Sequence, residues 1–177
     1  MQRDFREIGT AEIISVTGGI LAGSLLAFFL NRVEIIPGLF IMLPGFLEMR
    51  GNISGSLSAR LSAALFLKYT KPRIRKNYVL RENVISSVFL SVMVSLVLGL
   101  IAFFMSNYIF HVFNPKIIFV TVLAGVIANV IEIPLTVFFT FWLFKHGHDP
   151  NNIMGPYVTT IGDIISIASL LIVLAVI

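Results

Sequence analysis

The sequence predicts an all-α integral membrane fold of five transmembrane helices, with an irregular second helix broken by proline and glycine. Three observations carry this. Mean hydropathy is +0.95. Hydrophobic residues make up 57% of the chain and charged residues 12%, against about one quarter charged in soluble domains. Five stretches are mainly apolar over about 20 or more residues, enough at about 1.5 Å per residue to cross a hydrocarbon core of about 30 Å. The net charge of +4 does not call for nucleic acid, because the basic residues gather where cytoplasmic membrane loops carry them. The chain has no Cys, which excludes disulfides and thiolate metal sites and leaves the redox compartment unread.

The elements follow in chain order. Span one, 11–30, does not read as a secretory leader: it is long, Asp4 and Glu7 precede it, and no small-residue cleavage site stands out. Gly19 and Gly23 form a GxxxG there, a candidate helix contact. Span two, 35–67, holds Pro37, Gly38, Pro44, Gly45, Glu48, Arg50, Gly51, Asn52, Gly55, Arg60 and several serines. A lipid-facing helix does not tolerate that many polar groups. Broken helices with freed carbonyls occur at membrane depth only inside protein or along a water-filled path, where they coordinate cations in many transporters. The plainer alternative is a kinked packing helix with Gly51 and Gly55 at a contact. Glu48 and Arg50, two residues apart, do not face each other on a regular helix and need separate partners. Spans three, four and five cover 84–105, 117–144 and 153–177. The five spans make a single transmembrane domain over 1–177 with no soluble domain.

Orientation follows from Lys and Arg. The loop after span two carries Lys68, Lys71, Arg73, Arg75, Lys76 and Arg81, which makes it cytoplasmic. Alternation puts the N-terminus inside with Arg3 and Arg6, and Lys145 inside as well. Arg32 and Lys116 then fall outside, as does the C-terminus, in a multi-pass protein of the cell membrane.

Two carboxylates lie deep in the spans. Asp163 is about ten residues into span five, roughly 15 Å by helical rise, where a carboxylate costs about 2.5–3.5 kcal/mol on insertion scales. Asn152, Pro156, Thr159, Asp163 and Ser166 recur at spacings of four and three, which is one helical face. Ile161, Ile164, Ile165 and Leu171 lie opposite. Carboxylate, hydroxyl and carbonyl oxygens suit Mg²⁺ or Ca²⁺. A protonated Asp163 bonded to a neighbouring helix is the alternative. Span four brings Asn129, Glu132 and Pro134. Glu132 is functional, paired with Arg50 or Arg60 of span two, or simply protonated. His146 and His148, beside Asp149, are weak candidates for a metal pair.

The run PGFLEMRGNISGSLSARLS from Pro44 resembles the second transmembrane helix of the MgtE-type magnesium transporters and their eukaryotic solute-carrier relatives. In those proteins a proline and a Gly-Asn precede a hydroxyl-rich segment, and the solute-carrier branch adds an Arg-Leu-Ser. The run DPNNIMGPYVTTIGDIISI from Asp149 is similar to their last helix. The resemblance implies passage of Mg²⁺, or another divalent cation, through a homodimer, along a path lined by helices two and five. It maps the acidic site residue onto Asp163, the Gly-Asn onto Gly51 and Asn52, and an Asn of the fourth helix onto Asn129; Thr159 joins them as the hydroxyl one turn from Asp163. Glu132 stands near a position those relatives fill with a neutral residue, and the bacterial regulatory domains have no counterpart. A hydrated Mg²⁺ keeps several waters, so paired Asp163 carboxylates would hold it without stripping it; without the ion they would repel, coupling occupancy to pH and closure. Two other classes remain. An intramembrane aspartyl protease would need Gly-x-Gly-Asp, and Thr160 stands at the first glycine. A non-transporting scaffold or accessory subunit would use the glycines but not the polar stripe. Otherwise no enzymatic chemistry is indicated.

Overall fold

A computed structural model describes residues 2–28, 36 and 38–177. Regular structure among them is helical: α1 (Gln2–Phe28), α2 (Leu39–Phe66), α3 (Tyr78–Phe110), α4 (Lys116–Lys145) and α5 (Pro150–Val176). Leu30, Arg32, Ile35 and Pro37, on which parts of the span and topology readings rest, lie outside the described residues, as does the Arg3 side chain.

Local chemistry sets the helix ends. The Asn77 side chain caps α3 by accepting from Leu80 N at 3.0 Å, and Asp149 caps α5 by accepting from Asn151 N at 2.9 Å. Pro150 follows at the first helical position, where its missing N–H costs no bond. Gly38 opens α2 at φ 92°, and a Cβ there would stand 2.7 Å from Ser106 Cβ, so both backbone and space demand glycine.

Helix α2 corrects the expected break. It runs without interruption through Pro44, Gly45, Gly51 and Gly55. Pro44 sits early in the helix, so its ring gives up only the bond to the Phe40 carbonyl, and the turns that follow close normally. The five expected spans appear as five helices, of which α2, over Leu39–Phe66, lacks a membrane-length apolar stretch. Among the described residues, four helices are both long and apolar enough to cross a membrane, over Asp4–Phe28, Tyr78–Phe110, Lys116–Lys145 and Pro150–Val176. Helix α2 has the length, at 28 residues, but Glu48, Arg50, Asn52 and Arg60 interrupt it.

That polar helix is the one most enclosed by protein. It packs against α3, α4 and α5, while α1 lies on α5. Its neighbours approach closely because they present small residues. Ser87, Ser91, Ser95, Gly99, Ala102 and Ser106 of α3 recur every three or four positions and are all buried. A Cβ on Gly99 would sit 3.0 Å from the backbone of Ile118 in α4. The rest of α3 turns Phe89, Val97, Ile101 and Phe104 outward, where lipid would meet them. On α1, Gly18 takes the Thr160 side chain of α5, whereas Gly19 and Gly23 face open space, so the contact glycine is not in the GxxxG.

Two large apolar clusters fill the bundle, and a smaller third one joins Leu143 of α4 to Met154 and Val158 of α5. One of the large two joins Leu39–Ile53 of α2 to Ile117, Val120 and Ala124 of α4 and to Leu170, Val173 and Leu174 of α5. The other joins Leu57, Leu61 and Leu65 to Leu80 and to Ile133, Val137 and Phe141 of α4. A polar layer lies between them.

Candidate functional site

Helix α2 has two polar faces, which do different things. On the outer face Pro44, Glu48, Asn52 and Ser56 recur every four residues, and all are exposed. Asn52 Nδ2 donates to Glu48 Oε1 at 3.2 Å, a one-turn pair that leaves the Asn52 carbonyl oxygen free to point elsewhere. Across from this face, α5 presents Gly155, Thr159 and Asp163. Those three, with Pro44, Leu47, Glu48, Gly51 and Asn52 of α2, line a cavity of about 340 Å³. Gly51 lets α5 come near: a Cβ there would stand 3.3 Å from Thr159 Cγ2. The Thr159 hydroxyl donates back to Pro156 O at 3.0 Å and lies 3.4 Å from Ser15 Oγ of α1. The cavity thus holds two carboxylates, a hydroxyl and an amide oxygen, a hard-oxygen set of the kind that binds Mg²⁺ or Ca²⁺.

The inner face of α2 carries Arg50, 1% exposed. Its Nη1 donates to Asn129 Oδ1, and Asn129 Nδ2 donates to Ser91 Oγ. The guanidinium lies over the Phe46 ring, 5.5 Å from its centroid. Small residues make room for it. A Cβ on Gly125 would stand 3.1 Å from Arg50 Nη2 and would collide with Ser95 Oγ. Glu132 is buried near it, and among the described residues neither of its carboxylate oxygens has a hydrogen-bond partner. Its Oε1 lies 3.0 Å from where a Gly162 Cβ would be, and Arg50 Cβ lies 3.6 Å from the same point. Gly162, next to Asp163, is therefore where these two side chains meet the site helix.

Of the residues singled out in the sequence, Gly51, Asn52, Thr159 and Asp163 come together in the cavity, while Asn129 and Glu132 do not line it. Both sit on the inner side of α2 with Arg50. Arg60 turns the other way, with Nε donating to Asn83 Oδ1 at 2.7 Å and Nη2 to Ser87 Oγ at 3.2 Å. Among the described residues, neither arginine forms an ion pair with Glu132. Ser166, assigned to the polar stripe of span five, is fully buried, because α5 enters the first apolar cluster beyond it. Glu48 is the cavity residue that the sequence left without a role; its four-residue spacing from Pro44 and Asn52 was the available signal. His148 Nδ1 meets Glu7 Oε1 at 2.8 Å, tying α1 to the turn before α5, and His146 Nδ1 meets Trp142 O. Among the described residues no group of three or more His, Cys, Asp or Glu side chains gathers as a metal cluster.

The family MgtE, described as divalent cation transporter, matches residues 43–173. The matched stretch starts inside α2, ends inside α5 and includes every cavity residue. No curated protein matches the chain.

The Arg50 environment sets a stability expectation. Arg50→Leu should lower the thermal midpoint in detergent, because it strips buried Asn129 Oδ1 of its donor and removes the positive charge nearest the buried Glu132, a loss on the order of 1–3 kcal/mol. Adding Glu132→Gln should restore part of the loss, because the carboxylate left behind is then neutral. A double variant whose loss equals the sum of the two single losses would show that the residues are not coupled.

Proposed function

The chain belongs to the MgtE family of divalent cation transporters, and we propose that it passes Mg²⁺ across the membrane along a path between two copies, lined by α2 and α5. The observation that carries this reading is the cavity, whose oxygen-bearing side chains line the exposed face of a membrane bundle. Lipid cannot satisfy Glu48, Asn52, Ser56 and Thr159, all of them exposed on the single chain. A closed two-fold pairing would bury that face against its own copy. It would also bring two Glu48 and two Asp163 carboxylates to one path, where a single chain offers only one of each.

The space suits a hydrated ion. Six waters occupy roughly 180 Å³ at about 30 Å³ each, within the cavity's volume of about 340 Å³. Mg²⁺ would keep most of its waters. Asp163 and Glu48 supply charge, and Thr159, Asn52 and the Gly51 backbone supply oxygen contacts to the hydration shell. Asn129 and Glu132 act from behind: through Arg50 and Gly162 they fix the spacing of α2 and α5 on which the cavity depends. The chain sits in the cell membrane with the 68–81 loop and the N-terminus cytoplasmic and the C-terminus external, as the Lys and Arg bias favours.

Three outcomes follow. Asp163→Asn and Asp163→Ala should each reduce Mg²⁺ uptake into proteoliposomes by at least ten-fold, roughly 1.4 kcal/mol or more in the barrier, while the protein still inserts; wild-type uptake by the Ala variant would sink the ion-site assignment. Disulfide cross-linking should join copies through Cys placed at Gly155, Thr159 or Asp163 but not at Ile164 or Leu171. Cross-links confined to the apolar positions would exclude a path at this face. For topology, Tyr69→Cys suits better than a change at Asn77, because Asn77 holds the loop through Thr70 and Arg73 O. An impermeant thiol reagent should leave that Cys unlabelled in intact cells and label it after lysis, and labelling from outside would invert the orientation.

A further inference from the structure

A second polar-and-apolar feature lies on the opposite side of the bundle, away from the cavity. Helices α3 and α4 face lipid there with valines spaced four apart. Val84, Val88 and Val92 stand on α3, and Val126, Val130 and Pro134 on α4. Short, stiff side chains on both walls leave a trough between the helices. Its deeper part holds about 190 Å³. A wider part of about 380 Å³ continues from Val84, Ile133 and Pro134 toward the 68–81 loop, where Phe138 and Leu80 wall it. Val126 to Phe138 spans 12 residues, about 18 Å by helical rise, close to the roughly 15 Å of one leaflet of hydrocarbon.

At the loop end the trough changes character. Ile74, Asn77 and Arg81 are shared with an adjoining pocket of about 390 Å³ that adds Lys76 and Tyr78. No acidic side chain lines either pocket. Among the described residues, Lys76 and Arg81 take part in no ion pair. The pocket has a built floor. Asn77 accepts from Thr70 Oγ1 at 2.8 Å and donates to Arg73 O at 3.0 Å, so the turn that carries Lys76 is held by its neighbours. Two exposed cationic side chains on a held stretch of backbone thus sit over the mouth of an apolar trough one leaflet deep.

We propose that this is a binding site for one anionic phospholipid, with its phosphate at Lys76 and Arg81 and an acyl chain along the valine trough toward Asn129. The charge at the mouth fits an anionic headgroup and no other part of a lipid. The length and lining of the trough fit one chain of the same leaflet. A lipid merely coating the protein would show no headgroup preference, since apolar lining alone does not distinguish charge. Each basic side chain near a membrane surface raises affinity for anionic lipid roughly five-fold, so the pair sets the size of the expected preference.

The test is native mass spectrometry on the full chain released from nanodiscs that hold phosphatidylglycerol and phosphatidylcholine of identical chains in equal amounts. Wild type should retain phosphatidylglycerol over phosphatidylcholine by ten-fold or more. Lys76→Ala with Arg81→Ala should remove that preference. Val130→Trp should lower the retained lipid of both kinds several-fold; Val130 is 70% exposed, so the larger ring fills the trough without entering the core. Equal retention of the two lipids by wild type would overturn the site. So would an unchanged preference after Lys76 and Arg81 are removed. Competition by soluble glycerol phosphate, with no effect of Val130→Trp, would reduce it to an anion pocket without a lipid chain. If Val130→Trp disrupts association of copies and leaves bound lipid unchanged, the trough is a protein contact and the proposal fails.

Discussion

A guanidinium with no route to water governs the middle of this bundle. Arg50 is charged, bulky and buried, and the interior can hold it only where polar oxygen is close and space has been cleared. Asn129 supplies the oxygen, and Ser91 in turn takes the Asn129 amide. Gly125, Ser95 and Gly162 supply the space. Each of those residues sits on a different helix from Arg50, so one side chain fixes the approach of α3, α4 and α5 to α2. The regular stripe of serines, glycine and alanine on α3 follows from the same requirement. Larger residues there would push α3 off the polar layer and leave the guanidinium exposed to lipid.

Once the inner face of α2 is occupied in this way, its outer face cannot also be turned inward. Glu48, Asn52 and Ser56 point out of the bundle, and α5 meets the first two with Gly155, Thr159 and Asp163. The cavity is in that sense the reverse side of the Arg50 layer. Gly162 and Asp163 make the coupling physical. The first accepts Glu132 and Arg50 from behind, and the second reaches the cavity in front. A change in the buried layer would move the cavity wall by the rigid shift of α5, without touching any oxygen in the cavity.

Much of the candidate site was legible in the residues. Asp163 stood out by depth and cost, Thr159 by its place one turn away, and Gly51 and Asn52 by their position in a helix too polar for lipid. Glu48 carried the same signal and was left aside, because its nearest charged neighbour in sequence, Arg50, drew it into a question of pairing. The structure separates the two: they lie on opposite sides of one helical turn, which sends Glu48 to the cavity and Arg50 to the core. Asn129 and Glu132 share the residue types of cation ligands, but their helix faces the other side of α2. Residue chemistry alone does not say which wall of a helix a neighbour occupies.

Hydropathy, span length and charge bias are local sums along the chain, and they determined the membrane class, the helical fold and the order of its elements. They also located the polar face of span five and marked span two as the one helix that lipid does not surround. The continuity of α2, the inward turn of Ser166 and the split of its polar residues between a buried layer and an open cavity were decided only by tertiary structure. The reason is geometric. A helix repeats every 3.6 residues whatever surrounds it, so the sequence gives each face its chemistry, while the packing of the other helices decides which face meets protein, ion or lipid.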